Sequence, residues 1–212
     1  MLRQAILGAV VCLACARGLS AQEFPKPGPE HEKLKELEGT WDAVMDMGGQ
    51  KSTATATYKS ICGGMWLESN FQGDFGGSKF QGRGIDGYDQ AKKKYVGLWF
   101  DSMTSAPLHV EGNYDPQMKM LTMTGESLDP SGKVQKVKNV TETKDKDHFT
   151  FKMYMIGPDG QDALAFTIEY TRNKADVSKK KAAATKVSGT NSGISCRGRD
   201  GPFGPPPARI RT

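Results

Sequence analysis

Met65-Trp66-Leu67-Glu68-Ser69-Asn70-Phe71-Gln72-Gly73-Asp74-Phe75 is the stretch whose reading decides the fold. Met65, Leu67, Phe71 and Phe75 fall on one side of an extended chain, opposite Glu68, Asn70, Gln72 and Asp74, because successive side chains of a strand alternate between faces. Gly63-Gly64 before it and Gly76-Gly77 after it supply the positive φ of tight turns. The same period of two returns in Phe149, Phe151, Met153 and Met155, set against Thr150, Lys152 and Tyr154.

Working outward, the alternation predicts ten strands, near 40–47, 51–61, 65–75, 79–88, 94–102, 107–114, 119–127, 133–143, 148–156 and 163–172. Gly48-Gly49, Asp115-Pro116, Asp129-Pro130-Ser131-Gly132 and Gly157-Pro158-Asp159-Gly160 separate them with turn chemistry. Ahead of the strands, residues 30–38 predict one short helix, with Leu34 and Leu37 on one face and Gly39 as its stop. Ten hairpin-linked strands without a long crossover form a meander, and a long meander best removes its open edges by closing on itself. The expected fold is all-β: an up-and-down antiparallel barrel of about ten strands with a short N-terminal helix. A two-sheet sandwich is the alternative. A barrel of this size either fills with side chains or holds one small ligand.

The flanks are of other kinds. Residues 1–21 read as a signal peptide: Arg3 gives the positive start, Ala5 to Ala16 the apolar run, and Leu19-Ser20-Ala21 the small residues for cleavage. That run is shorter than the about 20 residues of a spanning helix. Export to the periplasm or the medium is therefore the expected localisation. Cys12-Leu13-Ala14-Cys15 departs from a lipoprotein box, since Cys12 stands where an aliphatic residue belongs. Residues 22–29 form a linker, residues 30–173 the barrel domain, and residues 174–212 a basic tail with too little to bury, expected to be disordered.

The formal net charge of +5 conceals a split. Residues 22–174 carry 19 Lys and Arg against 22 Asp and Glu, so the basic excess belongs to the ends. Nothing in the body therefore points to nucleic acid. Without the leader only Cys62 and Cys196 remain, too few for a disulfide framework or a zinc site. No metal or cofactor is expected.

Gly82-Arg83-Gly84-Ile85-Asp86-Gly87 matches a dinucleotide-binding pattern, but that pattern needs a strand turning into a helix, and here another strand follows. The glycines are read instead as bends or bulges in a curved strand. Ser102, His109 and Asp101 offer a nucleophile, a base and an orienting third group for a hydrolase, provided the fold brings them within hydrogen-bond reach. His109, or less readily the turn residue His148, could also serve as a lone haem ligand. Gly39-Thr40-Trp41 and Arg172 suit a barrel seam in which a first-strand indole is covered by a last-strand guanidinium, as in lipocalins and calycins.

Five segments in series resemble the mainly bacterial, often exported family known as domain of unknown function 1579. They are Leu37-Glu38-Gly39-Thr40-Trp41, Gly63-Gly64-Met65-Trp66-Leu67-Glu68, Gly82 to Asp89, Trp99-Phe100-Asp101-Ser102-Met103 and Glu169-Tyr170-Thr171-Arg172. The resemblance spans about residues 31–172 and implies a calycin-like barrel; it implies no activity. The functional expectation is a binding module for a small apolar ligand, lined by Met65, Leu67, Phe71, Trp99, Phe151, Met153 and Met155, since flexible thioethers suit an adaptable apolar pocket. A hydrolase built on Asp101, Ser102 and His109 is one alternative. A structural or interaction protein that uses its basic tail is another.

Overall fold

Trp41 lies opposite Arg172 in the register of the first and last strands, and that pairing closes the sheet. The computed structural model describes residues 24–128 and 132–175. The expected leader, Asp129-Pro130-Ser131, Cys196 and the tail from residue 176 onward lie outside the described residues. A helix, α1 (Pro29–Lys35), precedes ten strands: β1 (Gly39–Met47), β2 (Gln50–Ile61), β3 (Trp66–Phe75), β4 (Ser78–Asp89), β5 (Lys94–Asp101), β6 (Leu108–Asp115), β7 (Met120–Leu128), β8 (Val134–Asp145), β9 (His148–Ile156) and β10 (Asp162–Arg172). Every strand pairs antiparallel with its chain neighbour, and β1 pairs with β10, giving a closed barrel.

Turn chemistry sets the hairpins. Gly48 and Gly49 adopt φ of 61° and 91°, and Gly76 and Gly77 adopt 63° and 87°. Two consecutive positive φ values match the twist of the flanking strands. The aspartate two residues before each pair locks the turn: Gly49 N–H donates to Asp46 at 2.8 Å, and Gly77 N–H to Asp74 at 2.7 Å.

The glycines of β4 act differently from the expectation. The register runs through Gly82, Gly84 and Gly87 without a bulge on either side. Instead they house indole rings. A Cβ on Gly82 would lie 2.2 Å from the Trp99 ring, and one on Gly87 would lie 2.4 Å from the Trp66 ring. Gly82 faces inward and Gly87 outward, so the two tryptophans lie flat against opposite sides of one strand.

The helix stops earlier than its apolar spacing implies. Leu37 and Glu38 N–H donate to carbonyls three residues back, those of Leu34 and Lys35, which tightens the last turn. The Leu37 carbonyl is then taken by the Trp41 indole N–H at 2.7 Å. The helix thus ends where β1 claims its backbone.

Inside, Trp41, Phe71, Phe149, Ile168 and Tyr170 make one apolar cluster, and Leu34, Leu67, Tyr95, Val110, Met123 and Val137 make a second. Trp99 packs against both. The Arg172 guanidinium lies 4.1 Å from the centroid of the Trp41 ring. It donates to the carbonyls of Glu38 at 2.7 Å, Glu36 at 3.0 Å and Lys146 at 3.0 Å. One side chain thereby ties the end of α1, the β8–β9 hairpin and the closing strand pair. Such a stacked cation contributes about 0.5–2 kcal/mol, and its charged hydrogen bonds about 1.5–3 kcal/mol each when the acceptor would otherwise be left unpaired. Arg172→Ala is expected to lose about 2–4 kcal/mol of stability in urea titrations, and Arg172→Lys to recover less than half, since an ammonium cannot span three carbonyls while lying flat on a ring. A loss below about 0.5 kcal/mol for the alanine variant would show that the barrel closes without this clamp.

Candidate functional site

α1 leans on β3, β4 and the short 3-10 turn at Cys62–Gly64, which shields only part of one barrel mouth. Beside it, facing the β6–β7 and β8–β9 hairpins, a cavity of about 470 Å³ enters the barrel. Leu34 and Leu37 of the helical segment, with Trp41, Tyr95, Leu121 and Phe149 of the strands, supply its apolar walls. Burial pushes the Tyr95 phenol up to about 12. That hydroxyl therefore stays neutral, as a donor or acceptor.

Thr141 and Leu121 line this entrance, face inward by register and are only half-buried. Phe151, Met153, Met155 and Trp99 also face inward and are half-buried. Polar groups occur at the same depth. Asn139, the next inward position on β8 after Thr141, is buried, and its Oδ1 meets no donor among the described residues. Asp86 faces inward from β4, opposite Gly97, whose missing side chain leaves room for the carboxyl. The residue as a whole is half-buried, while protein surrounds its carboxyl. Burial raises its pKa from 3.8 to about 7. Nearby, Tyr58 and Tyr170 hydrogen-bond each other, and burial drives both phenols above their ordinary range, Tyr58 further helped by the charges of Tyr170 and Asp86.

The expected lining residues divide between packing and interior. Leu67 and Phe71 are buried in the two clusters, and Phe151, Met153, Met155 and Trp99 pack against those clusters while half-buried. Met65 caps the 3-10 turn just before β3. None of these seven lines the entrance cavity, whose walls come instead from the helical segment and from hairpins remote in sequence.

The hydrolase constellation does not assemble. Asp101 shares the inward face of β5 with Trp99, and its Oδ2 accepts the Trp99 indole N–H at 2.9 Å. Its Oδ1 accepts the Met103 and Thr104 amides, as in an ordinary turn. Ser102 Oγ accepts the Gln81 N–H at 3.2 Å, and His109 is exposed on the outer face between the inward Leu108 and Val110. The outward direction also removes His109 as a ligand to anything held inside. His148 pairs with Asp145 at the β8–β9 turn, at 2.9 Å, and is exposed as well. Among the described residues no group of His, Cys, Asp and Glu is placed to hold a metal ion.

Geometry thus defines a closed ten-stranded antiparallel barrel with a half-shielded mouth and a partly polar interior. The chain belongs to the family described as Protein of unknown function (DUF1579), whose pattern matches residues 26–172. No curated protein matches it. Solved structures similar to it include a redesigned beta barrel, mFAP1, bound to DFHBI, at 18% identity over 66% of this chain and 98% of that one, with a TM-score of 0.36. Another is the S-type phycobiliprotein lyase CPES from Guillardia theta, at 9% identity over 68% of this chain and 92% of that one, with a TM-score of 0.44. Neither likeness carries anything about function to this chain.

Asp86 makes the interior measurable. In the unfolded chain its carboxyl ionises near 3.8, whereas in the barrel it keeps its proton up to about pH 7. Between those values unfolding releases a proton, so stability falls as pH rises through that window and levels off above it. Asp86→Asn keeps the neutral shape at every pH. Its stability advantage over the parent is expected to grow by about 2–3 kcal/mol from pH 5 to pH 8 in urea titrations. An advantage equal at both pH values would place Asp86 in water.

Proposed function

We propose that this barrel is a binding module for a small, mostly apolar ligand, held inside the sheet and entered beside α1. The observation that carries the proposal is the entrance cavity. Its volume of about 470 Å³ lies within the roughly 300–1,000 Å³ of small-molecule sites, and its walls have the usual mix of apolar surface and a few polar groups. Behind it the pocket would continue along the half-buried inward side chains of Trp99, Phe151, Met153 and Met155, over packed Leu67 and Phe71, with Met65 just before β3. The unpaired Asn139 Oδ1 and the Asp86 carboxyl would give a ligand hydroxyl or amide its orientation. The apparent leader over residues 1–21 supports a place for this module outside the cytoplasm. No observation favours the hydrolase reading.

A neutral apolar fluorophore, N-phenyl-1-naphthylamine, tests the proposal. Saturable binding of one molecule per chain is expected, with fluorescence shifted to the blue. Thr141→Trp, which fills the throat from its β8 wall, is expected to weaken binding about tenfold or more while leaving the far-ultraviolet dichroism unchanged. Absence of saturable binding, or full binding by the folded Trp variant, would overturn the proposal.

A further inference from the structure

The mouth has a sign opposite to that of the body. Lys33, Lys119, Lys144, Lys146 and Arg172 line the cavity, against only two carboxylates, Glu36 and Asp145. Residues 22–174, by contrast, carry more acids than bases, so this basic collar is a local arrangement and does not follow from composition. Both carboxylates are already engaged. Glu36 meets Lys33 at 2.5 Å, and Asp145 accepts the Asp147 amide at 2.7 Å and faces His148 at 2.9 Å. The backbone amide of Asp147 and the His148 ring hold the Asp145 carboxyl below its usual range, so it stays ionised and committed to the turn.

The cations divide by what they already do. Arg172 is spent on three carbonyls and the Trp41 ring. Lys33 also lies 4.9 Å from the centroid of Tyr114, and Lys144 reaches Glu169 at 4.0 Å. Lys119 and Lys146 are exposed and have no ion pair among the described residues. They come from the β6–β7 and β8–β9 turns, neighbours around the rim: Thr143 N–H donates to the Lys119 carbonyl at 3.0 Å. Two exposed lysines without an ion pair among the described residues therefore line the entrance to an apolar throat walled by Leu37, Leu121 and Phe149.

We infer that the ligand of this pocket is an anionic amphiphile. Its apolar chain enters past Leu121 and Phe149, and its carboxylate or phosphate head stays at the rim between Lys119 and Lys146. The inference rests on the binding-module reading and adds the chemical class of the ligand. Neither half of the site explains the other away. A bare phosphate gains nothing from the throat, and a neutral hydrocarbon gains nothing from the lysines. A cationic amphiphile would meet unpaired like charge at the one point where its head must stop. Because the head stays hydrated, the lysines add selectivity more than strength, and salt screens them with a length of about 8 Å at physiological ionic strength.

Displacement of N-phenyl-1-naphthylamine by chains of equal length separates head from tail. At low salt dodecanoate is expected to bind about tenfold tighter than dodecanol, with dodecylamine weakest, and the preference is expected to shrink in about 0.5 M salt, where the Debye length falls to about 4 Å from about 30 Å at 0.01 M. Lys119→Glu with Lys146→Glu should reduce the preference to about one or reverse it. Lys51→Glu, at the opposite end of the barrel, should leave it intact. Lysophosphatidylglycerol run beside dodecanoate tells a lipid-derived phosphate head from a free carboxylate, and tighter binding by either supports the inference. Equal affinities for dodecanoate and dodecanol, or a preference that survives in the double variant, would overturn it while leaving the binding-module reading standing. If neither chain displaces the probe, the inference fails for this pocket. If the probe itself does not bind, the earlier reading fails with it.

Discussion

Arg172 over Trp41 is the contact on which the arrangement depends. A meander of ten strands leaves the first and last with unpaired backbone unless they meet, and their meeting places these two residues opposite each other. The guanidinium covers an indole that is only 1% exposed, and it takes carbonyls from the end of α1 and from the β8–β9 hairpin. The same clamp ties the chain just past α1 to the seam. The helix itself packs on β3 and β4, and the cavity lies on the side of the β6–β7 and β8–β9 hairpins.

The interior balances packing against space. Two apolar clusters provide the burial that lets a single sheet stand as a domain, and Trp99 bridges them by lying in the room left by Gly82 and Gly84. On the inward faces, Asp86 and Asn139 occupy positions that a purely structural core would fill with aliphatic side chains. A carboxyl enclosed by protein that keeps its proton, and a buried amide oxygen without a donor among the described residues, both weaken the fold. Half-buried methionines at the same level leave that space deformable, since thioether chains change rotamer readily. These features together describe a barrel that gives up some packing for access.

Much of this was legible in the sequence, for physical reasons. Period-two alternation together with Gly-Gly and Asp-Pro turn chemistry placed all ten strands within two residues of where they lie, and closure brought Trp41 to Arg172 as the seam motif implied. The helix end was misjudged because its last carbonyls serve Trp41 and Arg172, partners 4 to 136 residues away. The β4 glycines mark no bulge, and the indoles they house could not be read because they arrive from β5 and β3. Asp86 had a readable signal: it shares parity with Gly82 and Gly84, so the strand that turns those glycines inward must turn the carboxyl inward too. The entrance cavity had none. Its walls come from residues as far apart as Lys33 and Arg172, and only the closed barrel brings them to one rim.

Native mass spectrometry of the chain, purified without denaturation and then incubated with a modest excess of dodecanoate, tests the central claim most directly. One added molecule per chain is expected, on the protein as isolated or after incubation, and none on a Thr141→Trp variant that retains its fold. A spectrum showing only the bare chain under both conditions, or the same adduct on the filled variant, would contradict a ligand held within the barrel.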